Sequence, residues 1–162
     1  MKVLVACEFS GIVREAFAKR GHDVWSCDLL PTEIEGQHIQ GDVLNHLNDG
    51  WDMMIVHDPC TYQCNSGVRW LYEEYGRWCR LKQSCRFTKT LLSAPIPKIS
   101  RENPIPHKYA LAYIGRKYDQ IIQPRYFGEP YLKATCFWLK NLPKLEPMLW
   151  QSNGGKSKDK EE

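Results

Sequence analysis

The chain has 162 residues, about one domain's worth, with 43% apolar residues, 25% charged residues and a formal net charge of +3. These values suit a globular protein with one core, and no apolar stretch approaches the ~20 residues that span a bilayer, so no membrane segment is expected. A charge of +3 permits a polyanionic partner but falls short of the dense basic patch of an obligate nucleic-acid binder.

The start, MKVLVACEF, carries one lysine and runs straight into a strand pattern, without the long apolar core and small-residue cleavage site of a secretion signal. A cytoplasmic location is expected, in a bacterial or phage-infected host cell. Seven cysteines (7, 27, 60, 64, 79, 85 and 136) are an odd number spread through apolar segments, and they read mostly as reduced and buried rather than as a disulfide framework. The segment 151–162, QSNGGKSKDKEE, balances three lysines against three acids and lacks apolar side chains. A disordered tail is expected there, after a domain over 1–150. No internal repeat is visible.

In chain order, KVLVAC is a continuous apolar run suited to a strand buried on both faces. The turn EFSG follows, then Ile12, Val13, Ala16 and Phe17 at helical spacing. Ser10 can cap that helix and Gly21 can end it. HDVWSCD reads as a second strand ending in Asp28, GDVL brings Asp42 after another turn, and MMIV is a strand that delivers HDPC. From Val68 to Leu92, the positions Leu71, Tyr75, Trp78, Leu81, Cys85 and Leu91 approximate one face of a long helix, stopped by Pro95 and Pro97. Further strands are expected at 98–103, 119–124 and 134–139. This alternation implies an α/β fold, a Rossmann-like, mostly parallel sheet with helices on both faces. Ligands then bind at the carboxyl ends of the strands.

That rule gathers Glu8, Asp28, Asp42, Asp58, Cys60, Glu102 and Asn103 at one edge. Asp28 stands about 20 residues after the first turn, where an acid can bind both hydroxyls of a ribose. Asp42 can accept from an adenine amine; alternatively either acid caps the next helix. Cys60 is a nucleophile or a small buried hydrophobe. His57, Cys60 and Cys64, spaced by two and three residues, lack a second pair at finger-like distance, so no metal site is expected.

The order Pro59-Cys60, Glu102-Asn103 and Gln123-Pro124-Arg125 resembles the catalytic elements of the DNA cytosine-C5 methyltransferases. GHDVWSCDLLPTE, GDVL, CTYQCNSGVRWL, ENPIPHKYA and QPRYFGEPYLKATCFWLKNLP are similar to a compact group of phage-type members, over roughly residues 1 to 145. The resemblance implies the S-adenosylmethionine-dependent methyltransferase fold and that cofactor. It implies Cys60 as the nucleophile, Glu102 at N3 and the exocyclic amine, and Arg125 at the O2 carbonyl. Cofactor contacts are implied for Glu8, Phe9, Gly11, Asp28, Leu29, Asp42, Val43, Asp58 and Pro59, and substrate contacts for Tyr62, Asn65, Ser66 and Asn103.

The chemistry needs these residue types independently. Carbon 5 of cytosine is a poor nucleophile until a thiolate adds at carbon 6, and a carboxyl group must then hold the ring's developing charge at N3. The first turn carries one glycine, Gly11, where the family has Phe-x-Gly-x-Gly. The loop Asp58-Pro59-Cys60-Thr61-Tyr62 also resembles the Asp-Pro-Pro-Tyr loop of amino-methyltransferases acting on adenine N6 or cytosine N4, an alternative reading. A third reading is a non-catalytic nucleotide- or DNA-binding accessory protein. No segment is long enough for a target-recognition domain. The expected partner is therefore nucleic acid, as DNA or unpaired strands, or a pyrimidine nucleotide, with a dimer or an accessory protein supplying specificity.

Overall fold

A computed structural model describes residues 1–148; the expected tail at 151–162 lies outside the described residues. The chain forms β1 (Lys2–Ala6), α1 (Ile12–Ala18), β2 (Asp23–Asp28), β3 (His38–Gln40), β4 (Met53–Val56), α2 (Trp70–Glu73), α3 (Arg77–Leu92), β5 (Lys98–Pro104), α4 (Lys108–Ile114), β6 (Gln120–Ile122) and β7 (Thr135–Lys140). The strands make one seven-stranded sheet in the order β3-β2-β1-β4-β5-β7-β6. Pairs from β3 to β5 are parallel, and β7 runs antiparallel between β5 and β6.

The continuous apolar run of β1 is explained by burial on both sides. Val3 and Val5 pack with Val24, Ile55, Val13 and Phe17 beneath α1. Leu4 and Ala6 face the opposite layer with Met54, Val56, Ile99 and Leu91 of α3. Helices thus cover both faces, as the alternation predicts. No helix among the described residues is long and apolar enough to cross a membrane. All seven cysteines are free: Cys27, Cys85 and Cys136 are buried, whereas Cys79 is exposed.

Three local expectations are corrected. The helix expected over 68–92 breaks at Gly76, which takes the left-handed conformation (φ 76°) and separates α2 from α3. β3 and α4 were not legible as elements. α1 begins at Gly11 (φ 76°), one residue after the expected Ser10 cap; Ser10 Oγ accepts from Ile12 N at 3.3 Å, and the Val13 N–H donates to Glu8 Oε1 at 2.8 Å. A carboxylate there also suits the positive end of the helix dipole. Gly11 is required by its own surroundings, because an added Cβ would meet Arg14 Nη2 at 2.9 Å and Ile34 Cβ at 3.0 Å.

Arg14 is 1% exposed, an unexpected core residue. Its guanidinium donates to Ile34 O (2.6 Å), Glu35 O (3.2 Å), Ser26 Oγ (3.0 Å) and Thr32 Oγ1 (3.2 Å), which ties the β2–β3 connection to α1. Arg14→Met would remove all four of these bonds and untie the β2–β3 connection from α1. We expect a loss of about 2–4 kcal/mol in urea unfolding.

Candidate functional site

The carboxyl ends of β1, β2 and β4 open into a pocket of about 540 Å3 lined by Cys7, Cys27, Asp28, Leu29, Gly41, Asp42, Val43, Leu44, Pro59, Tyr62 and the α3 residues Arg80, Gln83, Ser84 and Phe87. Five of the residues expected around a cofactor, Asp28, Leu29, Asp42, Val43 and Pro59, share this one wall. Asp42 also does the capping work that the alternative reading assigned to both acids, whereas Asp28 caps no helix and accepts only within the turn that leads to β3. Asp28 Oδ1 accepts from Leu30 N at 3.0 Å, and Asp42 Oδ1 accepts from Leu44 N at 3.0 Å, capping a short 3-10 turn. In each case the other oxygen has no hydrogen-bond partner among the described residues.

At the end of β1 the chain turns sharply. Cys7 takes φ 59°, a left-handed conformation unusual for a residue with a side chain, and its N–H donates to Cys27 O at 2.8 Å. Burial, and then the nearby carboxylates of Asp58 and Asp28, push its thiol up to about 12. Glu8 follows, 6% exposed. Its Oε1 serves α1 and Ser10, while Oε2 is buried without a partner among the described residues. Phe9 is partly exposed and its carbonyl accepts from Glu33 N at 2.9 Å.

The loop from His57 to Val68 is held from both sides. Asp58 turns inward, where its carboxylate accepts from Arg101 Nε (2.5 Å) and Nη2 (3.0 Å) and from Thr88 Oγ1 (2.6 Å). Arg101 Nη2 also donates to Gln63 Oε1 (2.8 Å) and Asn103 Oδ1 (3.0 Å), and its guanidinium carbon lies 4.5 Å from the centre of the Trp138 ring. Arg101, Asn103 and Trp138 are fully buried. Further along, Asn65 N donates to Ile105 O at 2.9 Å and His107 Nε2 donates to Tyr62 O at 3.0 Å. Cys60 therefore sits between two anchored residues, Asp58 and Gln63.

Glu102 is brought to the same edge by register. Val56 pairs with Arg101 in the parallel ladder, so the next residues, His57 and Glu102, stand side by side, with Nδ1 3.6 Å from Oε2. His57, with Lys133 and Arg101 assisting, holds the Glu102 carboxyl below the usual carboxylate range in spite of partial burial. Tyr62 lies under the Arg77 guanidinium, 5.0 Å from carbon to ring centre, while Asn65 and Ser66 are exposed on a short 3-10 turn. Arg125 is exposed on the connection after β6, two strand spacings from β5, about 10 Å across the sheet. No hydrogen bond or ion pair among the described residues links it to Cys60 or Glu102.

Sequence reasoning missed Arg14, the Arg101 network and the pairing of His57 with Glu102. For Arg101 a signal existed, since Ile99, Arg101 and Asn103 alternate inward along one strand.

Solved structures that resemble this fold include the following two. A chain described as a DNA modification methyltransferase encoded within a prophage of E. coli matches 86% of this chain and 46% of its own length, with TM-score 0.52 and 16% identity. Magnesium protoporphyrin IX methyltransferase from Synechocystis PCC 6803, with bound SAM, matches 86% and 69%, with TM-score 0.50 and 12% identity. The chain thus spans less than half the length of the first and about two thirds of the second. No protein-family model and no curated protein matches the sequence. The fold is that of S-adenosylmethionine-dependent methyltransferases.

Proposed function

We propose that the protein transfers a methyl group from S-adenosylmethionine to carbon 5 of cytosine, through an adduct between Cys60 and carbon 6. The observation that carries this reading is the meeting, at adjacent strand ends, of the anchored Pro59-Cys60 loop with an anionic Glu102, beside a pocket holding Asp28 and Asp42.

The residues present fit the cofactor. Asp28 suits the ribose hydroxyls and Asp42 the adenine amine, with Leu29, Val43 and Pro59 as apolar walls. The buried, unpartnered Glu8 Oε2 suits an ammonium, with Phe9 and Gly11 shaping the same turn. Asp58, whose two oxygens are engaged, serves by fixing the loop that carries Pro59. When bound, the sulfonium supplies an electrophilic methyl group.

Toward the base, the Cys60 thiolate attacks carbon 6, and the Glu102 carboxylate accepts from the exocyclic amine and from protonated N3. Tyr62, Asn65 and Ser66 are available to hold the ring, and Asn103 acts through Arg101 rather than by contact. Arg125 is the guanidinium assigned to the O2 carbonyl. The amino-methyltransferase reading needs Asp58 free to accept the target amine, and its engagement by Arg101 and Thr88 counts against that reading.

Incubation with labelled S-adenosylmethionine and duplex DNA, single strands, RNA or a free cytidine nucleotide, followed by nucleoside mass analysis, tests the proposal. The expected product is 5-methylcytosine; N4-methylcytosine or N6-methyladenine would transfer the activity to the alternative chemistry. Flipping a base from a duplex costs a few kcal/mol, which a chain of +3 with few phosphate contacts recovers poorly. Unpaired cytosine is therefore the expected acceptor for the purified chain, unless a dimer or an accessory protein completes the surface. Faster methylation of one defined duplex than of its separated strand contradicts this.

Asp28→Ala should weaken cofactor binding by about 1.5–3 kcal/mol, roughly ten- to a hundredfold by calorimetry. Unchanged affinity would move the ribose elsewhere.

A further inference from the structure

His57 is not used by the adduct chemistry as described, yet its position is fixed by the same register that sets Glu102. Its Nδ1 stands 3.6 Å from Glu102 Oε2, and its Nε2 is buried without a partner among the described residues. The charged groups acting on Glu102 are His57 at the end of β4, Lys133 ahead of β7 and Arg101 on β5, and all three favour the carboxylate. On the carbon-5 reading this creates a deficit. Addition to carbon 6 needs a proton at N3, and an ionised Glu102 has none of its own to give.

We propose that His57 is the proton store for Glu102, its Nδ1–H supplying through the carboxylate the proton that N3 takes when Cys60 adds to the ring. This rests on the carbon-5 reading above. The bookkeeping closes within the site. The Cys60 Sγ lone pair forms the Sγ–C6 bond, the C5–C6 π pair shifts to C4–C5, and the C4–N3 π pair becomes the N3–H bond. The His57 ring enters as the imidazolium: its Nδ1 proton moves to Glu102 Oε2 while the Nδ1–H bonding pair stays on Nδ1, and the neutral carboxyl so formed passes that same proton to N3, leaving a carboxylate beside a neutral imidazole that keeps its Nε2 proton. After carbon 5 is alkylated, N3 returns the proton by the same route, and the thiolate leaves once carbon 5 has lost its hydrogen to solvent. His57 ends as it began. It touches Glu102 rather than the base, so it is a positioning and proton-holding residue.

Two measurements on the full chain test this. The first is a carbon-13 NMR titration of labelled glutamate carboxyls, with the Glu102 signal assigned by its loss in Glu102→Gln. In His57→Gln and in His57→Phe the Glu102 midpoint should move upward. The second is deuterium wash-in at carbon 5 of an unpaired cytosine oligonucleotide, which reads adduct formation without methyl transfer. His57→Gln should lose about 100-fold near pH 7.5, and the loss should shrink to less than about tenfold as the pH falls toward the carboxylate range, where the variant's Glu102, no longer held down by His57, carries more of its own proton. A residue that only supports the loop would give a loss independent of pH.

An unmoved Glu102 midpoint in both variants, or a pH-independent loss of exchange, overturns the proton store while leaving the carbon-5 reading in place. No exchange by the wild-type chain on any cytosine acceptor, with the midpoint shifting as expected, removes the carbon-5 reading and the relay built on it.

Discussion

Cys60→Ser should lose methyl transfer by several orders of magnitude while keeping the fold, the outcome of removing a nucleophile that acts as a unit with its partners. A serine hydroxyl matches the size of the thiol but is a far weaker attacking group at neutral pH. The Cys60 thiol neighbours the Cys64 thiol, but the loop itself is pinned by Asp58 and Gln63 on either side, and the Cys64 thiol donates to the Cys60 carbonyl, which the substitution keeps. The stability change should therefore stay within about 1 kcal/mol, read by thermal unfolding. The other cysteines provide controls. Burial pushes Cys7 and Cys64 up to about 12 and Cys27, Cys85 and Cys136 up to about 11, which keeps those five as thiols, and Cys79 is exposed on α3. Serine at 79 should leave turnover nearly unchanged. Full turnover by Cys60→Ser would abandon the adduct in favour of direct methylation of an amine.

The strands that the sequence announced are those whose burial is written locally. Val3 to Ala6 form an apolar run because both faces of β1 are covered, and MMIV at 53–56 does the same beside it. The collection of Asp28, Asp42, Pro59 and Glu102 at one edge was legible because parallel strands deliver their ends to the same side. β3 was not, since three residues, His-Ile-Gln, at the sheet margin carry no period. The break at Gly76 was hidden because apolar positions continue in register across it, while the left-handed turn depends on backbone rather than side-chain pattern. Arg14 and Arg101 defeat the ordinary expectation that arginine is exposed. The contact of His57 with Glu102 depends on pairing between strands more than 40 residues apart in sequence, which no local spacing encodes.

Arg101→Met should be the most destabilising single change in the chain, at about 3–5 kcal/mol, because it strands the Asp58 carboxylate in the interior. Asp58 is 5% exposed and Arg101 fully buried, so neither charge is relieved by water when its partner is lost. Asp58→Asn should cost a similar amount. The guanidinium also orders Gln63 and Asn103 and stacks on Trp138, directly opposite across the β5–β7 ladder. A core built this way is not optimal for stability alone, since burying two ions costs several kcal/mol each and their attraction recovers that only with full hydrogen bonding. The double variant Asp58→Leu with Arg101→Met should accordingly lose much less than the sum of the single losses in urea unfolding. Its activity should not recover with its stability. The ion pair joins the exit of β4 to β5, and with an apolar pair the Asp58 end of the loop that carries Cys60 loses its anchor, leaving the loop held from Tyr62 and Gln63 onward. A double variant that is both stable and fully active would mean that the loop finds its geometry without Arg101, leaving the buried pair no part in aiming Cys60.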